Sequence, residues 1–109
     1  MKYNIYLHEN FKKEAKHLLK KFPSLKNDLK KIQINIEKEL LLANNLGNGF
    51  KKIRIIITSK GKGSSGGGRI ITFETLVDIE EKDILFCSIY DKSDYENIDL
   101  EILKKNLDL

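Results

Sequence analysis

The spacing of apolar residues changes once along this chain, and that change limits the folds the chain can adopt. As far as Leu42, apolar side chains recur every three or four residues, which is the period of a helix with one buried face. From Phe50 onward they form short runs rich in Ile, Val, Phe and Thr, which are typical of strands. The sequence therefore predicts an α+β fold in which helices precede most of the sheet.

A strand and two helices are predicted in the first part of the chain. Residues 3–7 alternate in polarity and form the predicted first strand, and a helix follows from about Glu9. Pro23 ends this helix because proline lacks the N–H that the next turn needs, and Ser24 is predicted to cap a second helix that runs to about Leu42. The short break predicts a helical hairpin. The two apolar stripes are Phe11, Ala15, Leu18, Leu19 and Phe22, then Leu25, Leu29, Ile32, Ile36 and Leu40.

The second part of the chain predicts a small antiparallel sheet. Asn and Gly dominate residues 44–49, so we expect a turn there. Short connections favour antiparallel neighbours, and the predicted strands are residues 50–58, 69–77 and 83–90. Asp99 is expected to cap a short last helix that carries Leu100, Leu103 and Leu107.

The resulting fold is a single domain over residues 1–109: an N-terminal strand, a helical hairpin, a three-stranded antiparallel sheet and a short C-terminal helix. In the first strand of that sheet, alternation places Ile53, Ile55 and Ile57 on one face. Lys52 and Arg54 share the other face. We expect the isoleucine face to meet the helices, and the basic pair to point away from them.

Residues 59–69 form a basic, glycine-rich connection between two predicted strands. Five of the seven glycines lie in this segment, and residues 51–69 contain six basic side chains and no acid. Exposed backbone N–H groups next to fixed positive charge suit the phosphates of a nucleic acid. The alternative is a hairpin tip that binds no ligand. Lysine outnumbers arginine 18 to 2, so Arg54 and Arg69 are exceptions, and a guanidinium can hold phosphate through two parallel hydrogen bonds.

Several other functions are disfavoured by the sequence. Residues 61–66 match G-x-G-x-x-G, but a strand rather than a helix follows, so a dinucleotide site is not expected. Cys87 is the only cysteine and is interpreted as a small buried side chain. His8 and His17 have no further ligand nearby, so we expect neither a metal nor a cofactor. No apolar run is long enough to cross a bilayer, and residues 1–7 lack the apolar core of a signal peptide, so we expect a cytoplasmic protein that does not bind a membrane.

The remaining candidate site is a basic cluster without a carboxylate pair. RNA supplies its own nucleophile, the 2′-hydroxyl, so a site that cuts RNA needs only proton transfer and stabilisation of charge on the phosphate. Lys52 is the candidate base, because the neighbouring Arg54 disfavours a charged ammonium group. Tyr90 and Tyr95 add hydroxyl groups. The cluster consists of Lys51, Lys52, Arg54, Lys60, Lys62, Arg69 and Lys92.

Most of the chain resembles the RelE/ParE superfamily of bacterial toxins, in particular the HigB- and RelE-like branch of type II toxin–antitoxin modules. Residues 11–16 (FKKEAK) and 20–25 (KKFPSL) are similar to that branch's helical hairpin. Residues 46–54 (LGNGFKKIR) resemble its entry to the sheet, and residues 89–98 (IYDKSDYENI) its closing strand. The most specific resemblance is residues 59–72 (SKGKGSSGGGRIIT).

The resemblance implies a ribosome-dependent mRNA endonuclease that is neutralised by a cognate antitoxin protein and uses no metal. Carried over to this chain, the catalytic residues are Lys52, Arg54, Arg69, Tyr90 and Lys92. Within the basic cluster, Lys51, Lys60 and Lys62 are the predicted RNA-binding residues. The chain departs from the pattern at Ser93, where the family commonly has an arginine, and at Asn97 and Ile98, where RelE-type enzymes have a tyrosine that Tyr90 or Tyr95 replaces.

Two other functions remain open. ParE-like relatives poison DNA gyrase and do not cut RNA, so a gyrase inhibitor is the first alternative. An inactive relative that only binds a partner is the second.

Overall fold

A computed structural model describes residues 1–60, 67–94 and 98–108. No helix in these ranges has both the length and the apolar character needed to cross a membrane. The elements in chain order are β1 (Lys2–Leu7), α1 (Glu9–Lys21), α2 (Leu25–Ile34), α3 (Ile36–Leu42), β2 (Asn44–Gly47), β3 (Phe50–Ile55), a 3-10 turn (Thr58–Lys60), β4 (Gly68–Asp78), β5 (Glu81–Asp91) and α4 (Leu100–Leu107).

The predicted α+β class is confirmed, but the predicted three-stranded antiparallel sheet is wrong. The sheet has five strands in the order β1-β5-β4-β3-β2. β1 pairs with β5 in parallel, whereas the other three pairs are antiparallel. β2 lies in the segment that was predicted to be only a turn. The turn is confined to residues 47–49, where Gly47 and Gly49 both have φ +87° and Asn48 has φ 54°, so the residues before it are free to pair with β3.

The predicted second helix is interrupted at Asn35, so the described residues contain two helices where one was expected. Asn35 has φ −104° and ψ 28°, and its side-chain amide donates to the Lys31 carbonyl at 2.9 Å. Such a bond offers the backbone an alternative to a continuous helix. Ile32, Ile36 and Leu40 stay buried on one side of both helices, which is why the apolar spacing did not reveal the interruption.

Ser24 precedes α2 but does not cap it as predicted. Its hydroxyl donates to the Asp28 carboxylate at 2.8 Å, and no hydrogen bond joins its side chain to the helix backbone. The same carboxylate accepts from the Thr58 hydroxyl at 2.6 Å and from the Thr58 N–H at 3.0 Å. Asp28 is only 4% exposed, so this acid ties α2 to the 3-10 turn that follows β3.

Apolar side chains pack on both faces of the sheet. The face that meets α1, α2 and α3 includes Ile53, Ile55 and Ile57, as the alternation predicted. The other face packs against α4 through Leu103 and Leu107. Asp99 caps α4 as predicted, since its carboxylate accepts from the N–H groups of Glu101 at 3.0 Å and Ile102 at 3.3 Å. The sheet therefore has a helix-covered front and a smaller second core behind.

Side chains of α1 complete the edge of β5 beyond the end of β1. The Asn10 amide donates to the Cys87 carbonyl at 3.0 Å. The Glu14 carboxylate accepts from the Ser88 hydroxyl at 2.7 Å and from the Ile89 N–H at 3.3 Å. Backbone groups that a longer β1 would have bonded are thus satisfied by α1, which fixes the strand that carries Tyr90.

Replacing Glu14 with glutamine should stabilise the fold at alkaline pH. Burial raises the pKa of Glu14, and hydrogen bonds from Ser88, Ile89 and Asn10 only partly offset that rise. All three bonds end on Oε1, which glutamine retains. Because a raised folded-state pKa favours the protonated acid, the charged form weakens the fold increasingly as the pH rises. We expect Glu14→Gln to increase the free energy of unfolding in urea at about pH 8, with the gain disappearing near about pH 4.

The exposed acid Glu80 provides the control for this comparison. Glu80→Gln should leave the free energy of unfolding nearly unchanged at both pH values, because an exposed carboxylate keeps its hydration. A Glu14→Gln gain of equal size at both pH values would contradict the buried-charge explanation.

Candidate nucleic-acid interface

Three predicted site residues form one row across neighbouring strands. Arg54 on β3 lies directly opposite Arg69 on β4, and Arg69 lies directly opposite Tyr90 on β5. Directly opposed residues of antiparallel strands project from the same face, with Cβ atoms about 4.5–5.5 Å apart. We call Arg54, Arg69 and Tyr90 the arginine row. It lies on the face away from the helical hairpin, where the second core also lies.

The three members of the arginine row differ in exposure. Arg54 is exposed, whereas Arg69 is 4% exposed and Tyr90 is 2% exposed. The Arg69 guanidinium donates to the Gly68 carbonyl at 2.9 Å, which holds the group close to the strand. A ligand would therefore meet Arg54 first, with the Arg69 charge just behind it.

The charges of the two arginines act on each other. Burial lowers the pKa of Arg69, the positive charge of Arg54 lowers it further, and Tyr90 raises it. Arg54 forms no ion pair with any residue in the described ranges. Two neighbouring cations repel each other, so an anion placed over Arg54 would relieve the repulsion. This electrostatic arrangement suits a phosphate.

Lys52 lies on the same face as Arg54, two residues earlier in β3. It is opposite Ile71 on β4 and Asn44 on β2. Lys52 and Arg54 line a depression of about 170 Å³ between β3 and α3, together with Glu39. A second depression of about 250 Å³ lies beside it and includes Arg54 and Lys31. The basic side chains of β3 thus border open space at the edge of the sheet.

Lys92 lies just beyond the row. It follows Tyr90 by two residues, is exposed, and its N–H donates to the Gly67 carbonyl at 3.0 Å. That bond continues the pairing of β4 and β5 past the end of β5. Lys92 therefore extends the positive surface at the β5 end of the row.

Two predicted RNA-binding lysines are paired with acids elsewhere. Lys51 points to the opposite face from Lys52, and its ammonium nitrogen is 3.6 Å from Glu74 Oε1. Lys60 donates to Asp91 Oδ1 in an ion pair whose side chains are 12% and 4% exposed. The third lysine, Lys62, lies outside the described residues, as does Tyr95.

Sequence reasoning gave Asp91 no role, although it is a buried partner of a predicted site residue. Burial raises the pKa of Asp91, but hydrogen bonds from Lys60 and Ser93 lower it by more, so its pKa lies below the ordinary value. The only local signal is an acid at the end of an apolar strand. The pairing with Lys60 depends on how the 3-10 turn packs against β5, which spacing does not show.

The helical hairpin carries a second positive surface. Residues 12–31 contain eight lysines, and all eight are exposed. The two acids in that segment, Glu14 and Asp28, point inward and accept hydrogen bonds. These exposed lysines add positive potential to the hairpin without forming a defined pocket.

Among the described residues, no three His, Cys, Asp or Glu side chains converge in a way that could hold a metal ion. Compared with known proteins, the sequence matches no protein-family model and no curated protein.

Proposed function

We propose that this chain is a toxin of the RelE kind, a ribosome-dependent mRNA endonuclease that inhibits translation and is neutralised by a cognate antitoxin. The observation that supports the proposal most directly is the arginine row. Two exceptional arginines, 15 positions apart in a lysine-rich chain, stand directly opposite each other on neighbouring strands. A pair of adjacent guanidinium groups suits the scissile phosphate of an RNA backbone.

The proposed reaction uses the 2′-hydroxyl of the RNA itself. Its oxygen attacks the adjacent phosphorus and forms a cyclic phosphate, while the bond from phosphorus to the 5′-oxygen of the next nucleotide breaks. Arg54 holds the phosphate, and the Arg69 charge behind it helps to stabilise the charge that develops on the phosphate oxygens. Lys52 accepts the proton of the 2′-hydroxyl, and the exposed Lys92 donates a proton to the leaving oxygen. Tyr90 is buried beside Arg69 and orients that guanidinium.

The proposed partners follow from the charge of this surface. Messenger RNA lies across the arginine row, and the ribosome presents it in the extended form that such a row can grip. The antitoxin brings acidic and apolar side chains to the same basic face.

A brief induction of the protein in bacterial cells, followed by sequencing of RNA ends, tests the proposal. We expect cuts that are phased with codons inside translated messages, and growth arrest that begins within the same period. Arg54→Gln should remove most of the cuts, because it removes the exposed cation of the row. Intact messages together with DNA-damage signalling would replace this proposal with the gyrase-inhibitor alternative. Induction without slower growth would favour the inactive relative.

A further inference from the structure

A buried ion pair lies on the helix-covered face of the sheet, opposite the face that carries the arginine row. Lys60, at the end of the 3-10 turn, meets Asp91, at the end of β5, and the Lys60 ammonium lies 5.9 Å from the centroid of the Phe22 ring. Both partners are largely removed from water. Removing two charges from water offsets most of their attraction, so a hydrophobic pair of similar volume is often equally stable. The free energy of folding alone therefore does not explain why these two residues form a buried ion pair.

Asp91 also organises the turn that carries Lys92. Its side chain accepts from the Ser93 N–H at 3.0 Å, and its carbonyl accepts from the Asp94 N–H at 2.9 Å. Its strand partner is Gly68, where an added Cβ would come within 3.1 Å of the Tyr90 carbonyl oxygen. Two features therefore fix the end of β5. One is the close packing of Gly68 against Tyr90, and the other is the hydrogen bond that the Asp91 carboxylate accepts from Ser93.

Lys60 follows β3 and Asp91 ends β5, two of the strands that carry the arginine row. Successive residues of a strand point to opposite faces, so Asp91 points toward the helical hairpin while Tyr90, its neighbour, belongs to the row. Lys92 follows directly on the other side of Asp91. Lys60 approaches from the turn that continues β3, the strand of Arg54. The ion pair therefore links β3 and β5, the strands on either side of Arg69, on the helix-covered face of the sheet.

We propose that Lys60 and Asp91 are positioning residues that fix Tyr90 and Lys92 relative to Arg54 and Arg69. This inference rests on the proposed function, because it assigns a task within that site. Lys60 does not contact RNA in this role. It holds Asp91, and Asp91 holds the end of β5 and the following turn.

Two variants separate this role from direct contact with RNA. Lys60→Met combined with Asp91→Leu replaces the ion pair with apolar side chains of similar size and leaves no buried charge unpaired. We expect its single-turnover RNA cleavage to fall about 100-fold, since small misplacements of reacting groups have effects of that size. RNA affinity should change less than about twofold, and the salt dependence of binding should be unchanged. The control is Lys82→Met, which removes an ion pair with Glu74 (3.2 Å) and should leave cleavage unchanged.

The outcomes are distinct. Weaker RNA binding with a salt slope reduced by about one, at an unchanged cleavage rate, would overturn the proposal in favour of direct contact. Normal cleavage by the double variant would overturn it as well.

A second measurement does not depend on cleavage. Amide hydrogen exchange at Tyr90, Lys92 and Ser93 should be faster in the double variant and unchanged in Lys82→Met. If the wild-type protein cuts no RNA while this exchange still rises, the proposed function fails but the structural link between the pair and β5 stands. Unchanged exchange overturns the positioning role, whatever the cleavage result.

Discussion

Replacing Arg69 with lysine should lower the rate of RNA cleavage by about a thousandfold, the effect expected when a phosphoryl-transfer site loses a guanidinium that stabilises the transition state. Lysine keeps the positive charge but places it on a compact, strongly hydrated ammonium group, which fits the buried position behind Arg54 less well than a guanidinium does. Arg69 is also held against the Gly68 carbonyl, an arrangement that a single ammonium group reproduces poorly. Single-turnover cleavage of a ribosome-bound message measures the effect directly, and growth after induction measures it in cells.

The reverse exchange at a distant position provides a matched control for Arg69→Lys. Lys38 is exposed on α3, so Lys38→Arg should leave cleavage and growth arrest unchanged. Thermal unfolding of Arg69→Lys must show a folded protein for the comparison to hold. If the folded Arg69→Lys variant cuts messages at the wild-type rate, the arginine row is not the site of the reaction.

Replacing Asp28 with alanine should reduce the free energy of unfolding by about 3 kcal/mol, because three hydrogen bonds of about 1 kcal/mol each are lost. The bonds come from the Ser24 hydroxyl and from the hydroxyl and N–H of Thr58. Burial raises the pKa of Asp28, and these bonds lower it by more, so its pKa lies below the ordinary value. The stabilisation is therefore present at neutral pH and is lost as the pH falls through the lowered pKa. Urea unfolding at about pH 7 and about pH 3 measures both effects.

Asp78→Ala is the matched control for the loss of Asp28. Asp78 is exposed and accepts one hydrogen bond, from the Glu80 N–H at 2.7 Å, so we expect a loss of less than about 1 kcal/mol. Equal losses for the two variants, or an Asp28→Ala loss that is as large at acid pH as at neutral pH, would show that the buried carboxylate does not tie the hairpin to the sheet.

Much of the fold could be predicted because it follows from local patterns in the sequence. Helical spacing and Pro23 placed α1, and alternation placed Ile53 and Ile55 under the helices with Arg54 on the other face. β2 could not be predicted, because Asn and Gly are poor strand formers and only the partner strand makes residues 44–47 pair. The parallel pairing of β1 with β5 could not be predicted either, since it depends on contacts between distant parts of the chain.

Composition could single out candidate residues for the site but not their arrangement. Composition singled out Arg54 and Arg69, yet the register that sets them opposite each other is decided by strand pairing across the connection between β3 and β4. For Lys60, the position in the sequence was a poor guide to the surroundings of the side chain. Its position in a basic segment indicated RNA contact, whereas tertiary packing buries it against Asp91.

The parallel pairing of residues 2–7 with residues 81–86 has a consequence for biosynthesis. A ribosome adds about 5–20 residues per second, so roughly 4–16 s separate the synthesis of β1 from that of its neighbour β5. During that interval the sheet lacks the strand that supplies Tyr90, and β1 has no partner to dock against. A nascent chain therefore cannot assemble the basic surface until β5 has emerged. Under the proposed function, this order of synthesis would keep the chain from cutting the message that is being translated until its last strand is made.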